Sequence, residues 1–329
     1  MIKPFFSILI PVYKNVNYLY ECLKSIVEQN YDNFEVILCY QGDTDQKTFI
    51  QDTRIRSIYL EKPSLYKARI EAYHEAKGKY VLFVDSDDEL LDGALNVLYQ
   101  TIGRNAEPDI IQFGYTSELR KMKPVRLRPN ASVLSRDEYR SYFLSELGTY
   151  PIWRKCFKRN NVDFFDEDIF LGEDALLSLA FINESETIVS IDNTLYFYRP
   201  NVKSGTANLK LKYLDDLSIF LMYSFSYRRS ERELEMGIYS FISTFFTFLR
   251  RFSARDLLSL EHVRIVVKTI STYNFFSKPA FVKKTYLRIV KKNKIGIFEN
   301  VCLFFIRFMH RAKQNFMIIV ENELGSSTK

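Results

Sequence analysis

The first 115 residues of the chain alternate between short apolar runs and longer stretches in which apolar residues recur at helical spacing. The apolar runs have the length of buried strands. They predict five strands, at Phe5–Val12, Phe34–Tyr40, Ile55–Leu60, Tyr80–Val84 and Asp109–Tyr115. Because these runs are apolar almost throughout, we expect both faces of the sheet to be covered.

The stretches between the strands predict helices. In Tyr18–Gln29 the apolar residues fall on one helical face, and Leu65–Ala76 and Gly93–Gly103 also have helical spacing. Strands that alternate with amphipathic helices predict an α/β fold, with a mostly parallel central sheet and helices on both faces. In such sheets, ligands bind beyond the carboxyl ends of the strands.

Near residue 208 the pattern changes from alternating strands and helices to helical spacing alone. We therefore predict two domains, residues 1–208 and an α-helical C-terminal domain of residues 209–329. The charge changes at the same boundary, since residues 209–329 contain 21 Lys and Arg against 10 Asp and Glu. This excess of positive charge indicates that the C-terminal domain faces something anionic.

Three interpretations of the C-terminal domain stay open. The segments Gly237–Phe252 and Ile295–Val320 are rich in Phe, but Arg250 and Arg307 interrupt them too early for a span of the bilayer. The domain can pack as a helical bundle, lie on an anionic membrane surface or form a homo-oligomer interface. Nucleic acid is not an expected partner, because no recognised binding motif accompanies the charge.

Cysteine and histidine usage restricts the class of protein. Cys22, Cys39, Cys156 and Cys302 are far apart and form no CxxC pair, which favours reduced thiols and argues against a zinc site. The three His residues are too few for a His-based metal cluster. The N-terminal residues lack the pattern of a secretory signal, so we expect a cytoplasmic protein, peripheral on the inner face of the membrane if the C-terminal domain binds lipid.

The main candidate for chemistry follows the fourth predicted strand. The apolar run that ends at Val84 gives way to DSDDE, with carboxylates at Asp85, Asp87, Asp88 and Glu89. Two carboxylates two positions apart can converge on Mg²⁺ or Mn²⁺, and a diphosphate supplies the remaining ligands. Capping of the following helix, the alternative, would need only one acid. We therefore predict metal–diphosphate binding at Asp85 and Asp87.

A second pair of acids, Glu173 and Asp174, opens an apolar helical run. One interpretation is that these acids only stabilise the N-terminus of a helix through its macrodipole. The other is that one of them is a general base, which removes the proton of a nucleophilic hydroxyl as a bond forms. The doublet alone does not distinguish the two.

Three stretches together resemble the family-2 glycosyltransferases, inverting enzymes with the GT-A fold that build bacterial capsular, exopolysaccharide and lipopolysaccharide chains. The stretches are FFSILIPVYKNVNYLYECLKSIVEQNYDNFEVILCYQGDTD, AKGKYVLFVDSDD and GEDALL, and the likeness covers residues 5–206 in consistent order. The resemblance implies a Rossmann-like, nucleotide-sugar-binding catalytic domain in residues 1–208.

The resemblance also implies roles for individual residues. Asp85 would face the nucleotide ribose and Asp87 the metal of a DxD motif, with Asp85 close enough to share it. Asp174 would be the catalytic base, supported by Glu173. Further residues of the nucleotide-sugar pocket would be Pro11, Tyr13, Gln41, Arg69 and Ser86. Residues near the acceptor, or in the loop beside the diphosphate, would be Trp153, Arg154, Arg199, Lys203 and Ser204.

The end of the second strand departs from the family pattern. Relatives usually have two aspartates before Gly-Ser there, one of which recognises uracil, whereas this chain has Tyr40 and Gln41. The Gln41 amide can still hydrogen-bond a base edge, and Asp43 or Asp45 could replace the missing acids. The departure concerns the identity of the nucleotide and not the fold.

The resulting expectation is a metal-dependent, inverting transferase that moves a sugar from a UDP-sugar to a hydroxyl of a glycan or lipid-linked glycan. Two alternatives stay open. A nucleotidyltransferase that makes an activated sugar also combines an α/β fold with an acidic metal site, although IPVYKNVNY lacks the expected Gly-rich phosphate loop. A non-catalytic binding subunit of a polysaccharide-assembly complex would explain the altered end of the second strand.

Overall fold

The structure is a computed structural model in which the chain divides into two compact units, Met1–Asn208 and Leu209–Lys329. The described residues are 3–14, 16–43, 50–117, 133–145, 150–166, 169, 172–200, 211–226, 259–263 and 265–266. The two Phe-rich segments of the predicted C-terminal domain lie outside these residues, so the three interpretations of that domain stay open.

The described part of the first unit contains nine strands and five helices. The strands are β1 (Phe6–Val12), β2 (Phe34–Gln41), β3 (Ile55–Leu60), β4 (Tyr80–Phe83), β5 (Glu89–Leu90), β6 (Ile110–Thr116), β7 (Val133–Ser135), β8 (Lys155–Lys158) and β9 (Thr187–Phe197). The helices are α1 (Leu19–Val27), α2 (Leu65–Glu75), α3 (Ala94–Arg104), α4 (Arg136–Ser145) and α5 (Glu173–Asn183). In the second unit, α6 spans Leu211–Ser226.

All nine strands belong to one sheet, in the order β3-β2-β1-β4-β8-β6-β9-β5, with β7 also paired to β9. β1 pairs in parallel with β2 and β4 on its two sides, and β2 pairs in parallel with β3. β8 lies antiparallel between β4 and β6, so β6 and its parallel neighbour β9 run in the direction of β4. The prediction of a mostly parallel central sheet is confirmed.

Helices α1 and α3 cover one face of this sheet. Ile8 of β1, Leu38 of β2 and Leu82 of β4 form one buried cluster with Leu23 of α1 and Leu98 of α3. None of these five side chains is more than 1% exposed. Burying one aliphatic side chain of this size contributes about 1.5–3 kcal/mol, so the central strands and the two helices hold each other in place.

Helices α2 and α5 supply aromatic contacts on the opposite face. Phe83, the neighbour of Leu82 in β4, lies 6.1 Å from Phe157 of β8 and 6.0 Å from Phe181 of α5, measured between ring centroids. Phe157 and Phe181 stack at 4.1 Å, and Tyr73 of α2 meets the edge of Phe181 at 5.2 Å. Because successive side chains of a strand point to opposite faces, these contacts confirm that both faces are covered.

The short strand β8 is not predicted by the sequence pattern. Its sequence is KCFK, in which a charged residue occupies a position that the fold buries completely. The Lys155 amine is accommodated because Nζ donates to the Pro151 carbonyl at 2.8 Å and to Ser178 Oγ at 3.3 Å, while burial lowers its pKa well below the usual value. Local periodicity cannot anticipate a buried lysine whose partners come from other parts of the chain.

Among the residues that the structure describes, no helix combines the length and the apolar content that crossing a bilayer requires.

Candidate functional site

Helix α2 brings a buried arginine to the carboxyl edge of the sheet. Ser64 caps the helix, since its Oγ accepts the Lys67 N–H at 3.0 Å. The Ser64 N–H in turn donates to Gln41 Oε1 at 3.0 Å, which ties the helix start to the end of β2. One turn further, the side chain of Arg69 is only 1% exposed. A charge buried this deeply requires charged or hydrogen-bonding partners.

The Arg69 guanidinium joins three carboxylates that come from two distant parts of the chain. Nη2 donates to Asp85 Oδ1 at 2.7 Å, and Nη1 donates to Asp174 Oδ1 at 2.5 Å. Glu173 Oε1 lies 3.4 Å from Nη1. Asp85 follows β4, whereas Glu173 and Asp174 open α5, so one side chain unites the two acidic groups that the sequence singled out.

The start of α5 depends on a glycine. Gly172, the N-cap residue, has φ of +85°, a conformation that residues with a Cβ adopt only with strain. The two acids that follow lie in the first helical turn, where the macrodipole favours negative charge. Their side chains are 15% exposed for Glu173 and 23% exposed for Asp174. Both carboxylates are therefore within reach of a ligand although they are mostly buried.

Burial raises the pKa of both acids, and a nearby carboxylate adds to each rise: Asp174 for Glu173, and Asp85 for Asp174. Burial raises the pKa of Glu173 to about 7, with Asp174 adding to the rise and Arg69 opposing it. Burial also raises the pKa of Asp174 above its usual value, and Arg69 again opposes the rise. For Arg69 itself, burial lowers the pKa, but the three carboxylates outweigh burial and raise it. The arginine therefore stays charged, and Glu173 titrates close to neutrality.

The residues Asp85–Glu89, which we call the acidic turn, are closed by hydrogen bonds to one another and to β9. The Asp88 N–H donates to the Asp85 carbonyl at 3.1 Å. Tyr196 Oη accepts the Asp85 N–H at 3.1 Å and donates to Asp88 Oδ2 at 2.7 Å. Burial raises the pKa of Asp88 to about 8, with Asp85 adding to the rise and hydrogen bonds from Arg199 and Tyr196 opposing it.

Arg199, just beyond β9, holds the acidic turn from the other side. Its N–H donates to Asp88 Oδ1 at 2.8 Å, and its Nε donates to the Asp87 carbonyl at 2.9 Å. Its guanidinium pairs with Glu89 and lies 4.3 Å from the ring centroid of Tyr18. The predicted loop residue Arg199 is thus directly beside the predicted metal site.

The residues predicted for the nucleotide-sugar pocket differ in their exposure. Pro11 is buried near the end of β1, and Tyr13, just beyond that strand, is 43% exposed. Gln41 is 2% exposed, and Ser86 is half-buried within the acidic turn. Arg69 lies beneath the site, paired with carboxylates. The role of all five in nucleotide binding stays a prediction.

The residues predicted near the acceptor lie against β6 and β9. Trp153 is 7% exposed and stacks on Tyr196 at 4.7 Å and on Tyr198 at 5.4 Å. Arg154 is 2% exposed, and its Nε donates to the Phe113 carbonyl at 3.4 Å. Their acceptor roles stay predictions. Two further predicted loop residues lie outside the described residues: Lys203 and Ser204.

The acidic turn offers the donor set of a hard cation. Over the residues that the structure describes, no group of three or more His, Cys, Asp or Glu side chains forms a metal site by itself. Mg²⁺, however, is commonly bound through one or two carboxylates together with phosphate oxygens. Asp85 shares its carboxylate with Arg69, so Asp87 fits best as the main protein ligand. The residues present therefore fit a metal that is held jointly with a diphosphate.

Two residues of this site, Asp88 and Tyr196, were not predicted from the sequence. Asp88 belongs to the acidic run, and the presence of more acids than a metal needs was the one available signal. Tyr196 has no local signal, because its contacts with the acidic turn join residues more than a hundred positions apart.

Comparisons with known proteins agree with this geometry. Residues 7–158 match the family model described as Glycosyl transferase family 2. The chain is 31% identical over 220 residues to the uncharacterized glycosyltransferase EpsJ of Bacillus subtilis, which covers 62% of this chain and 63% of EpsJ. It is 30% identical over 211 residues to the glycosyltransferase GlyA of Streptococcus pneumoniae, which covers 59% of this chain and 30% of GlyA. The match thus spans less than two thirds of either relative.

A solved structure extends the likeness to the fold. The S. aureus TarS 1-349 fragment, in complex with UDP-GlcNAc, aligns with a TM-score of 0.59 and 18% identity, over 80% of this chain and 83% of that one. At this identity the likeness shows the GT-A fold alone. The sheet, the acidic turn after β4 and the family match over residues 7–158 lead to one conclusion. The domain that residues 7–158 form is similar to glycosyl transferase family 2.

Proposed function

We propose that the chain is an inverting glycosyltransferase of bacterial surface polysaccharide synthesis. It transfers a sugar from a nucleoside-diphosphate donor to a hydroxyl of a glycan or lipid-linked glycan. A UDP-sugar is the donor that we propose first. The observation that carries the proposal is the Arg69 guanidinium, which contacts Asp85 at 2.7 Å and Asp174 at 2.5 Å. The residue expected to face the donor and the residue expected to activate the acceptor therefore share one partner.

In the proposed reaction, Asp174 is the general base and Glu173 supports it. The acceptor oxygen attacks the anomeric carbon from the face opposite the diphosphate, and its proton passes to a carboxylate oxygen of Asp174. The bond between the anomeric carbon and the diphosphate oxygen breaks, and its electron pair leaves with the nucleoside diphosphate. A single displacement of this kind inverts the configuration at the anomeric carbon.

The base must be ionised before it can accept a proton. Burial raises the pKa of Asp174, and the charge of Arg69 opposes that rise. Burial also raises the pKa of the neighbouring Glu173 to about 7, with Asp174 adding to the rise. We therefore infer that Arg69 also serves the base, in addition to the donor role that the family resemblance implies.

Asp87, together with Asp85, would hold Mg²⁺ or Mn²⁺ in this proposal. When bound, such a cation supplies stabilisation of the charge that develops on the departing diphosphate. The acidic turn keeps both carboxylates near the carboxyl end of β4, where ligands of parallel sheets bind. Arg199 adds a fixed positive charge to the same region.

The proposed donor class has two sources of support. The TarS fragment with the same fold was solved with UDP-GlcNAc, which makes a UDP-sugar the first donor to test. The buried amide of Gln41 lies at the end of β2, where a hydrogen bond to a base edge is expected. We also propose that the acceptor is part of a surface glycan, because TarS of Staphylococcus aureus, 27% identical over 213 residues, is named a poly(ribitol-phosphate) beta-N-acetylglucosaminyltransferase.

The test is the release of nucleoside diphosphate by the full chain from a panel of nucleotide-sugars in the presence of Mn²⁺. We expect slow hydrolysis of one donor, loss of that hydrolysis when Mn²⁺ is chelated, and strong inhibition by the Asp174→Asn substitution. Turnover that requires a nucleoside triphosphate would instead identify a nucleotidyltransferase. Mn²⁺-dependent nucleotide binding without any turnover would identify a binding subunit.

A further inference from the structure

The acidic turn is fastened to β9 by two residues that have no place in the proposed reaction, Tyr196 and Asp88. Tyr196 is completely buried, and Asp88 is 1% exposed. Neither can therefore face a bound donor or acceptor directly. Any effect of Tyr196 and Asp88 on the site must therefore pass through the residues that they contact.

The tyrosine hydroxyl joins the two ends of the turn. It accepts the N–H of Asp85 at 3.1 Å and donates to the carboxylate of Asp88 at 2.7 Å. The backbone bond from the Asp88 N–H to the Asp85 carbonyl closes the same turn at 3.1 Å. Asp87, one of the two residues between them, thus lies in a turn that is closed through both its backbone and its side chains.

The partners of the Asp88 carboxylate are also informative. One oxygen binds the Tyr196 hydroxyl and the other binds the main-chain N–H of Arg199 at 2.8 Å. Both are neutral donors, and together they engage both oxygens of the buried Asp88 side chain. The two bonds therefore hold these oxygens in fixed directions between β9 and the segment that follows it.

The need for such fastening follows from the acids themselves. Asp85 and Asp87 are two positions apart, and their repulsion favours an open turn whenever a cation is not between them. Groups behind a ligand that fix its orientation commonly change metal affinity by about 10–100-fold. The bonds from Tyr196 and Asp88 oppose that opening, since they hold the backbone that carries both carboxylates.

We propose that Tyr196 and Asp88 are positioning residues, which hold the acidic turn in the arrangement that binds the metal–diphosphate group. The inference rests on the proposed function, because it needs Asp87 to be a metal ligand. It adds a specific consequence: the affinity for the cation depends on a strand far away in sequence. Because Arg199 belongs to the same fastening, the metal site is also joined to the segment that follows β9.

The decisive variant is Tyr196→Phe, which removes one oxygen and keeps the ring that stacks on Trp153. Its matched control is Tyr80→Phe, since Tyr80 is equally buried and donates one hydrogen bond, at 3.0 Å, to the Pro108 carbonyl. Mn²⁺ binding to the full chain, in the presence of saturating UDP, is measured from the electron paramagnetic resonance signal of free Mn²⁺. Thermal unfolding is measured for both variants.

We expect Tyr196→Phe to weaken Mn²⁺ binding about tenfold, the usual consequence of leaving a buried donor unsatisfied. Saturating Mn²⁺ should restore most of the turnover, because a positioning defect lies in affinity and not in the chemical step. Tyr80→Phe should keep wild-type Mn²⁺ affinity, even if it lowers the unfolding temperature by a similar amount. Asp88→Asn, which retains an oxygen for the Arg199 N–H, should weaken Mn²⁺ binding less than Asp88→Ala.

Two results would overturn the inference in different ways. If wild type binds Mn²⁺ with UDP and Tyr196→Phe has the same affinity, the positioning role is wrong while the proposed function stands. If wild type binds no Mn²⁺ with UDP, the metal assignment fails, and the inference fails with it. Should Tyr196→Phe not fold, equal Mn²⁺ affinity of Asp88→Asn and Asp88→Ala would reject the positioning role.

Discussion

β2 and β4 flank β1 and run in the same direction, but the residues at their carboxyl ends differ in charge. β4 leads into the acidic turn, whose carboxylates contact Arg69 and Arg199. β2 ends in Tyr40 and Gln41, which are neutral and almost completely buried. The two ends lie at the same edge of one sheet and are held by different kinds of interaction.

The neutral end has a structural use that its charge pattern does not suggest. Gln41 Oε1 accepts the N–H of Ser64, the N-cap residue of α2, and α2 carries Arg69. Tyr40 stacks on Tyr59 at 5.9 Å. The comparison teaches that charge is concentrated at the strand end where the proposed reaction would transfer a proton and release a diphosphate. The end expected to recognise the nucleotide can change its residues while it continues to support the helix beneath the reaction site.

The largest effect is expected at the charged end, from Asp174→Asn. Loss of a general base lowers turnover by about 10²–10⁴-fold, and donor binding should stay close to wild type because the amide has the same shape. Steady-state turnover and calorimetric donor binding check the two parts separately. Near-normal turnover in this variant would show that the base is elsewhere.

Asp87→Ala should have the next largest effect, on metal-dependent donor binding. Removal of a metal ligand should weaken UDP binding in Mn²⁺ by at least about 100-fold, the upper range for groups that only support a ligand. Calorimetry with UDP, with and without Mn²⁺, measures the effect. Asp109→Asn is a suitable control, because Asp109 accepts the N–H groups of Glu186 and Thr187 and lies outside the site. An unchanged affinity in Asp87→Ala would refute the metal assignment.

Arg69→Gln should change the pH dependence of turnover. Arg69 lowers the pKa of both Glu173 and Asp174, so its removal raises those pKa values. Turnover needs the deprotonated base and rises with pH through its pKa, so the acid limb should move to higher pH, by about one unit or more. Arg69→Lys, which keeps the charge, should move it less. If the acid limb of the pH profile does not move in Arg69→Gln, Arg69 has no effect on the pKa of the base.

The smallest effect is expected at the neutral end, from Gln41→Ala. Loss of one neutral hydrogen bond of this kind costs about 1 kcal/mol, so we expect a donor KM raised about fivefold with little change in kcat. Binding of UDP and of other nucleoside diphosphates, measured by calorimetry, tests whether the preference among bases weakens. A fall in kcat as large as that of Asp174→Asn would erase the contrast between the two ends.

Much of the sheet was predictable because its strands and helices have distinct periodicities. Five predicted strands and three predicted helices correspond to β1–β4, β6 and α1–α3, with bounds that differ by at most three residues. The antiparallel direction of β8 was not predictable, because the direction of a strand in a sheet depends on the strands with which it pairs. The buried Lys155 in β8 also breaks the apolar pattern that a buried strand normally shows.

The candidate site was also predictable only in part. The sequence alone identified Asp85, Asp87, Glu173 and Asp174 as chemically interesting, because clustered acids after a strand or before a helix stand out from an apolar background. Only the tertiary structure decided that Arg69 joins three of them, Asp85, Glu173 and Asp174, since these partners lie up to 105 positions away. Tyr196 could not be predicted for the same reason, since its partners Asp85 and Asp88 lie more than a hundred positions away.

The amino-acid sequence by itself determined the alternation of strands and helices, the burial of both sheet faces and the chemical identity of the acidic groups. These are local properties, written in the spacing of apolar residues and in side-chain type. The tertiary structure alone decided which charges meet, which acids become buried and which pKa values rise, because burial and electrostatic contact depend on distances between segments that are remote along the chain.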